Sequence, residues 1–257
     1  VARGRVDIDG GLMRLAAQRE GLIAEVFADE GDRVTAGQPL ARLEDEAARL
    51  QLGIAEAELT QAEVQLALAR TRATQATDEA GRLAPLARAD AIPARQADEA
   101  RHAATLAGIE ARAAEIGLDL AQRRLQVQRQ ELEARTIRAP VAGVILRRSA
   151  RPGDGTTTQT VTEMFLLAPD APRIIRAELD EQFVGLVTPG QRAEIIRERD
   201  DGSRLMGQVL RVAPVFGTPG AAQADARTVE IIVQIDPDQP RAADLVLGQR
   251  MIVRILK

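Results

Sequence analysis

Few side chains in this sequence have the chemistry that catalysis requires. The 257 residues include no cysteine and a single histidine, His102, which excludes thiolate nucleophiles and any site that needs two imidazoles. Adjacent carboxylates occur at positions 29–30 and 200–201, but neighbouring loop residues do not form an acid–base pair. The sequence contains neither a nucleophile elbow nor a glycine-rich phosphate loop. We therefore expect no catalytic residues, no metal site and no cofactor.

Charge and hydropathy exclude further classes of protein. The formal net charge is -4, from 34 basic and 38 acidic residues, so the chain lacks the basic surplus that binds nucleic acid. The sequence contains no run of 18 apolar residues that could cross a bilayer, and no signal peptide is visible. The chain starts in the middle of a pattern, which predicts that an upstream segment is missing. Aromatic residues make up only 2% of the chain, so aliphatic side chains must form the core.

The middle of the chain, residues 44–136, has the composition and spacing of a coiled coil. Apolar residues recur at alternating intervals of three and four through 52–87, and again through 97–132 with one break at Gln128. Such a repeat predicts a left-handed coiled coil. The short segment between the two series predicts an antiparallel hairpin with its tip at about 86–93. The seam is predicted at Leu52, Leu59, Leu66, Ala73, Ala80, Ala100, Ala107, Leu118, Leu125 and Leu132.

The predicted hairpin is a long rod with one interruption. About 43 residues per helix at ~1.5 Å per residue give a length of about 65 Å. Pro85 lies one turn before the tip and has no amide to bond the carbonyl of Gly81. A kink or an early end of the first helix is expected there.

The segments on either side of the hairpin repeat one pattern. A Gly-Leu-Ile run at 21–23 is followed by Gly-Asp at 31–32, and a Gly-Val-Ile run at 143–145 is followed by Gly-Asp at 153–154. Two similar four-stranded halves, neither able to bury its own face, predict a small β-sandwich with the hairpin inserted between them. The predicted sandwich comprises residues 12–43 and 137–168.

The last part of the chain, residues 169–257, reads as antiparallel strands separated by proline and glycine turns. A short amphipathic helix is predicted over 180–187. A closed barrel would remove the exposed strand edges, and residues 1–11 are expected to add a strand to it. The strands are predicted at 173–178, 192–196, 205–212, 228–235 and 249–256.

The order of these parts resembles the periplasmic adaptor, or membrane fusion protein, family (HlyD-type) of Gram-negative tripartite export systems. The matching stretches are residues 21–44, Ile-Arg-Ala-Pro-Val-Ala-Gly-Val-Ile at 137–145, Pro-Gly-Gln-Arg-Ala-Glu-Ile at 189–195 and Leu-Gly-Gln-Arg-Met-Ile-Val at 247–253. The resemblance implies an elongated multi-domain α+β fold. In that fold a lipoyl-like domain, or barrel-sandwich hybrid, is split by the hairpin and followed by an antiparallel β-barrel.

The resemblance also implies a function and its partners. A family member is a non-catalytic periplasmic protein, anchored to the inner membrane by an N-terminal segment that this chain lacks. Typically six copies form a tube that joins an inner-membrane transporter to a TolC-type outer-membrane channel. The exported compounds would be small molecules, lipids or peptides.

The hairpin tip carries part of a channel-docking pattern of the family. Adaptors that engage TolC-type channels often have an arginine, a leucine four residues later and a serine seven residues after that; here these positions are Arg82, Leu86 and Pro93. Proline has neither the hydroxyl nor an amide proton. The resemblance implies docking through Arg82 and Leu86, and the alternative is that Arg82 is only a solvated helix residue. The expected contact set also includes Arg88, Asp90, Ile92 and Pro93.

Several alternatives remain open at this point. A lipoyl or biotin carrier is excluded, because the only lysine is Lys257, the last residue. An ABC exporter is the favoured transporter, on the likeness of residues 2–7 and 15–17 and of the ending at the barrel. Alternatives are the adaptor of a proton-driven pump of the resistance-nodulation type, and a coiled-coil scaffold without a transporter. His102 is expected to be solvated, the alternative being a pH-sensing contact between protomers.

Overall fold

A computed structural model of the chain describes residues 1–157, 162–198, 204–216, 228–236, 239, 242 and 245–256. The carboxylates at 200–201 and Lys257 lie outside these residues. The elements before the hairpin are β1 (Ala2–Ile8), β2 (Met13–Ala16), β3 (Gly21–Val26), β4 (Arg33–Val34) and β5 (Pro39–Leu43). The hairpin and the strands that follow it are α1 (Glu46–Arg88), α2 (Ala94–Glu133), β6 (Thr136–Arg138), β7 (Gly143–Arg148), β8 (Gly155–Thr156) and β9 (Glu163–Pro169). The remaining elements are β10 (Arg173–Asp180), α3 (Glu181–Val184), β11 (Arg192–Arg197), β12 (Arg204–Phe216), β13 (Thr228–Ile235) and β14 (Arg250–Ile255).

The predicted fold class is confirmed: a long helical hairpin interrupts the β-structure, and a closed six-stranded barrel follows. The helices have 43 and 40 residues. Ala, Leu, Gln, Glu and Arg dominate both, and these residues lose little side-chain entropy in a helix. Two helices of nearly equal length give a rod of about 60–65 Å at ~1.5 Å per residue.

The strands flanking the hairpin form two four-stranded sheets, in the orders β2-β9-β7-β4 and β6-β5-β3-β8. Each sheet takes two strands from before the hairpin and two from after it. The two halves of the repeat therefore interleave. The counterparts in the two halves are β2 and β6, β3 and β7, β4 and β8, and β5 and β9. Exchanging each strand for its counterpart converts the order of one sheet into the order of the other. Leu40 and Leu43 from one sheet and Ile145, Phe165 and Leu167 from the other are fully buried in the shared core.

The barrel closes in the order β1-β10-β13-β12-β11-β14, so β1 joins the two ends of the C-terminal strands. Inward-facing aliphatic residues recur at alternate positions along the strands, as a closed sheet with a filled interior requires. Val6, Ile175 and Val253 are among the residues that fill the interior. This core is separate from that of the sandwich.

The short helix after β10 differs from its predicted extent. It was expected over 180–187, but the α-helical part covers only Glu181–Val184. Gly185 follows it directly, and the amides of Leu186 and Val187 then bond to carbonyls three residues earlier, at 3.0 and 3.2 Å. Glycine weakens a continuing helix, so the chain tightens into 3₁₀-type turns instead.

Candidate functional site

The hairpin reverses direction within residues 89–93. The amide of Asp90 donates to the carbonyl of Ala87 at 3.1 Å, and that of Ala91 donates to Leu86 at 2.9 Å. Asp90 has a φ of 56°, in the left-handed region that aspartate tolerates better than most residues. Pro93 occupies the position before α2, where a missing amide costs nothing. These local bonds hold a compact tip.

Of the two expectations at Pro85, a kink or an early end, the early end is wrong, because helix α1 continues through Pro85 to Arg88; the kink stays a prediction. The amide of Ala89 still donates to the carbonyl of Pro85 at 3.1 Å. The Arg88 guanidinium caps the same turn, with its Nε 3.3 Å from the carbonyl of Ala84. Pro85 has no amide to donate to the carbonyl of Gly81, and the helix continues past it.

The side chains predicted to contact a channel all lie at this end of the hairpin. Leu86 is 42% exposed, which is unusual for a leucine beside a coiled-coil seam. Arg82 is exposed and forms an ion pair with Glu79, one turn earlier on the same helix. Arg88, Asp90 and Pro93 are exposed, and Ile92 is half-buried. The tip thus presents one apolar and several charged groups to solvent.

The seam residues are placed along the facing sides of the two helices. Leu66, Ala107 and Leu125 are buried. The other residues of the predicted seam are half-buried: Leu52, Leu59, Ala73, Ala80, Ala100, Leu118 and Leu132. Every residue of both 3–4 series is shielded to this degree, whereas the positions between them are mostly exposed.

A second apolar stripe lies on the outside of the hairpin, and the sequence analysis missed it. We call it the outer stripe; its residues are 49–67% exposed. Each lies two residues from a position of the 3–4 series, which is about 160° around the helix, on the side that faces away from the partner helix. The outer stripe consists of Leu50, Ile54, Val64 and Leu68 on α1, and Leu106, Ile109, Ile116, Leu120 and Val127 on α2. The outer stripe appears when apolar residues are counted at the same 3–4 spacing from a position two residues after a seam residue.

Ion pairs between the two helices define their register. Arg70 of α1 pairs with Glu115 of α2. Nearer the base, Arg124 lies 3.4 Å from Glu58. Each pair is exposed and contributes little stability. Their positions show that Leu68 and Ile116 stand at nearly the same height on opposite outer faces of the hairpin.

The base of the hairpin meets the sandwich around a charged cleft of about 520 Å³, lined in part by Gly21, Asp45 and Arg135. Arg135 donates through Nη1 to the carbonyl of Glu44 at 2.8 Å, which ties the end of α2 to the start of α1. A hydrogen bond from the Arg49 guanidinium, 2.9 Å away, holds the pKa of the Asp45 carboxyl below its ordinary value, although partial burial opposes this. The cleft is open to solvent, and the hydrogen bond of Arg135 beside it connects the ends of the two helices.

Within the described ranges no three histidine or acidic side chains come close enough together to hold a metal ion. His102 is exposed on α2 and continues the outer stripe toward the tip. Neither of the two long helices has a stretch apolar enough to span a bilayer, over the part of the chain that the structure describes.

Comparisons with known proteins find similarity to proteins that are named for export. The chain matches no protein-family model. It is 29% identical over 208 residues to the pyoverdine export membrane fusion protein PvdR of Pseudomonas aeruginosa, a match that covers 80% of this chain and 53% of that protein. It is 23% identical over 201 residues to the macrolide export protein MacA of Yersinia pestis, covering 78% of this chain and 54% of that one. The chain thus spans about half the length of these curated relatives.

The fold is also found in a solved structure. The crystal structure of MacA from Actinobacillus actinomycetemcomitans superimposes with a TM-score of 0.80 at 20% identity, covering 99% of this chain and 77% of that one. At that identity the likeness concerns the fold, and it extends over the sandwich, the hairpin and the barrel together.

Proposed function

Because this chain belongs to the periplasmic adaptor, or membrane fusion protein, family, we propose that it is the non-catalytic link between an inner-membrane transporter and a TolC-type outer-membrane channel. Its place is the periplasm, with an anchor in the inner membrane. The observation that carries the proposal is a rigid two-helix rod with an exposed tip, inserted into a compact β-body. Such a shape suits a spacer that bridges two membrane proteins.

The three parts of the chain take separate roles in this proposal. Residues 44–136 form the rod, residues 12–43 with 137–168 form the body that carries it, and residues 169–257 with 1–11 form the barrel that meets the transporter. An ABC exporter is the favoured transporter, because residues 2–7 and 15–17 resemble the ABC-linked subgroup of the family. The exported compounds are small molecules, lipids or peptides.

The tip is the proposed contact with the channel. Leu86 offers an apolar side chain at the end of the rod, and Arg82 and Arg88 offer charges beside it. Arg82 is held by Glu79 in the free chain, so docking must exchange that pair for a contact with the channel. Exposed pairs of this kind are weak enough to be exchanged.

The outer stripe is the proposed contact between copies of the chain. Nine large apolar residues are left exposed in two rows along the hairpin, each row in register with the 3–4 repeat. The rows lie on the two outward sides of the hairpin, so the α1 row of one copy can cover the α2 row of the next. A head-to-tail contact of this kind closes into a ring, here proposed to be a hexamer.

The absence of native cysteine makes the assembly directly testable. We expect the pair Leu68→Cys with Ile116→Cys to form disulfides between copies in membranes, because the two positions stand at the same height. They cannot join within one copy, since the hairpin separates them. The control pair Leu68→Cys with Arg101→Cys places the thiols at different heights. If both cysteine pairs gave equal amounts of disulfide-linked oligomers, the proposed ring would be wrong.

The partners are tested by purification of the full-length protein from membranes after crosslinking at the tip. A Leu86→Cys variant carrying a thiol-reactive photocrosslinker should capture an outer-membrane channel, whereas Arg112→Cys, exposed halfway along the rod, should not. An ATP-binding permease among the co-purified proteins supports the ABC assignment, and a proton-driven pump replaces it. If neither transporter nor channel is recovered from an active exporter strain, the scaffold function takes its place.

A further inference from the structure

Three arginines lie side by side on the outer wall of the barrel. Arg5 of β1 is directly opposite Arg176 of β10 on one side and directly opposite Arg250 of β14 on the other. Its neighbour Val6 points into the barrel core, so the arginines project to the outside. Directly paired residues of antiparallel strands have Cβ atoms about 4.5–5.5 Å apart, and like charges in such pairs are destabilising.

The three arginines are compensated unequally. Arg176 is well satisfied, because its Nε lies 2.9 Å from Asp7 Oδ2 and its Nη1 lies 2.7 Å from Glu230 Oε1. Arg250 approaches Glu198 only to 3.8 Å. Among the described residues, no carboxylate forms an ion pair with Arg5 or with Arg3, which lies two residues earlier on the same face of β1. The row therefore contains guanidinium donors that the protein itself does not use.

Strands β1 and β10 approach each other closely beside the row. Gly4, between the two free arginines, lies so close to β10 that a Cβ there would come within 2.7 Å of the Ala177 Cβ. The strands that carry Arg5 and Arg176 therefore lie close together at Gly4. The arginine side chains, with Glu178 and Glu198 at the margin, line an open cleft of about 430 Å³.

We propose that this cleft binds a tetrahedral oxyanion of the phosphate type, held mainly by Arg5 and Arg250. A guanidinium group donates two parallel hydrogen bonds to phosphate oxygens, and a phosphate has enough oxygens to accept from two such groups at once. A bound anion would also relieve the repulsion within the row. Glu178 and Glu198 compete for the same guanidinium groups, so the site suits a ligand of moderate affinity.

The same chemistry is available from two sources, free inorganic phosphate and the phosphate of a lipid headgroup. The proposal does not depend on the adaptor function, since the test uses the isolated chain without a transporter or channel. Failure of one therefore leaves the other standing.

The first test is thermal unfolding in sodium phosphate and in sodium chloride at equal ionic strength, for the unmodified chain, Arg5→Gln and the control Arg95→Gln. Arg95 is an exposed hairpin arginine. In chloride, Arg5→Gln should unfold at the same temperature as the unmodified chain or about 1–3 °C higher, because a like-charge contact has been removed. Phosphate should raise the unfolding temperature of the unmodified chain and of Arg95→Gln by more than that of Arg5→Gln, whose smaller rise is the general stabilisation by an excluded anion. A purely structural Arg5 would give the opposite sign in chloride.

The second test separates the two sources of phosphate. Sedimentation with phosphatidylglycerol vesicles, compared with phosphatidylcholine vesicles, should retain the unmodified chain at least tenfold more than Arg5→Gln if the headgroup is the ligand. A phosphate effect without vesicle binding assigns the site to the free anion. A chain that responds to neither probe, or an Arg5→Gln variant that responds as strongly as the unmodified chain, overturns the proposal.

Discussion

The amide of Gly31 donates a hydrogen bond to the carbonyl oxygen of Ile145 at 2.8 Å, joining the turn of one half of the sandwich to a strand of the other. The chain makes the same contact with the halves exchanged, since the amide of Gly153 donates to the carbonyl of Ile23, also at 2.8 Å. Each half thus supplies the turn that closes the other. The sequence repeat is expressed as an approximate twofold symmetry, and the hairpin leaves the sandwich without disturbing it.

We expect Gly31→Ala and Gly153→Ala each to lower the free energy of unfolding by about 1–2 kcal/mol. Both glycines have left-handed φ angles, 91° and 87°, and no atom within 4 Å of an added Cβ. Backbone strain is therefore the cause, without a steric clash. Urea unfolding measures the effect, with Gly108→Ala, in a regular helix, as the matched control. Unchanged stability in both turn variants would show that the left-handed turns are not required.

Glycines in the long helices should behave in the opposite way. Gly108 and Gly117 lie within α2 with open space where a Cβ would be added. Alanine restricts the unfolded chain and favours the helix, so each substitution should raise stability by up to about 1 kcal/mol. Thermal unfolding followed by circular dichroism at the helix band tests this. A lower unfolding temperature would indicate that another surface packs against these positions.

The base of the hairpin should make stability depend on acid pH. The pKa of the Asp45 carboxyl is held below its ordinary value of 3.8, chiefly by the hydrogen bond from Arg49. Folding therefore favours the ionised carboxylate. Its contribution is complete above about pH 4 and is lost as the pH falls through the folded-state pKa.

Asp45→Asn should thus be less stable than the unmodified chain at about pH 7, and the difference should shrink below about pH 4. The measurement is urea unfolding at a series of pH values. Asp78→Asn, which changes an exposed carboxylate of the same helix, serves as the control and should show a smaller, flat difference. A constant deficit of Asp45→Asn at every pH would mean that the loss is steric and not electrostatic.

The hairpin could be predicted because its pattern is local, whereas the pairing of the strands could not. Heptad spacing reports directly on which helix face is buried, and Leu66 and Leu125 are buried as that spacing requires. The repeat around Gly31 and Gly153 indicated two halves of a sandwich. It did not indicate that they interleave, because strand order depends on contacts between residues far apart in the chain. The helix after β10 is shorter than its amphipathic pattern predicts, because Gly185 ends it.

Neither the arginine row on the barrel nor the outer stripe could be predicted from one apolar pattern in one segment. Arg5 and Arg250 lie at opposite ends of the chain and become neighbours only when the barrel closes. The outer stripe is local, but a single apolar series per helix does not reveal it. Both features are surfaces, and surfaces are less constrained by the sequence pattern than cores are.

Leu66 and Leu68 give a matched pair that separates the seam from the outer stripe. The two leucines are two residues apart on α1, but Leu66 is 6% exposed and Leu68 is 51% exposed. The same substitution at both positions removes the same atoms from the same helix. Any difference in outcome therefore reports on what covers each side chain.

In the isolated chain, Leu66→Ala should lower the free energy of unfolding by about 2 kcal/mol or more, since it leaves a cavity in the seam. Leu68→Ala should change it by no more than about 0.5 kcal/mol. Self-association should show the reverse order: at high concentration, sedimentation velocity should detect less assembly for Leu68→Ala than for the unmodified chain, because the proposed neighbour loses its contact. Equal assembly by both chains would mean that the outer stripe is not the surface where copies meet.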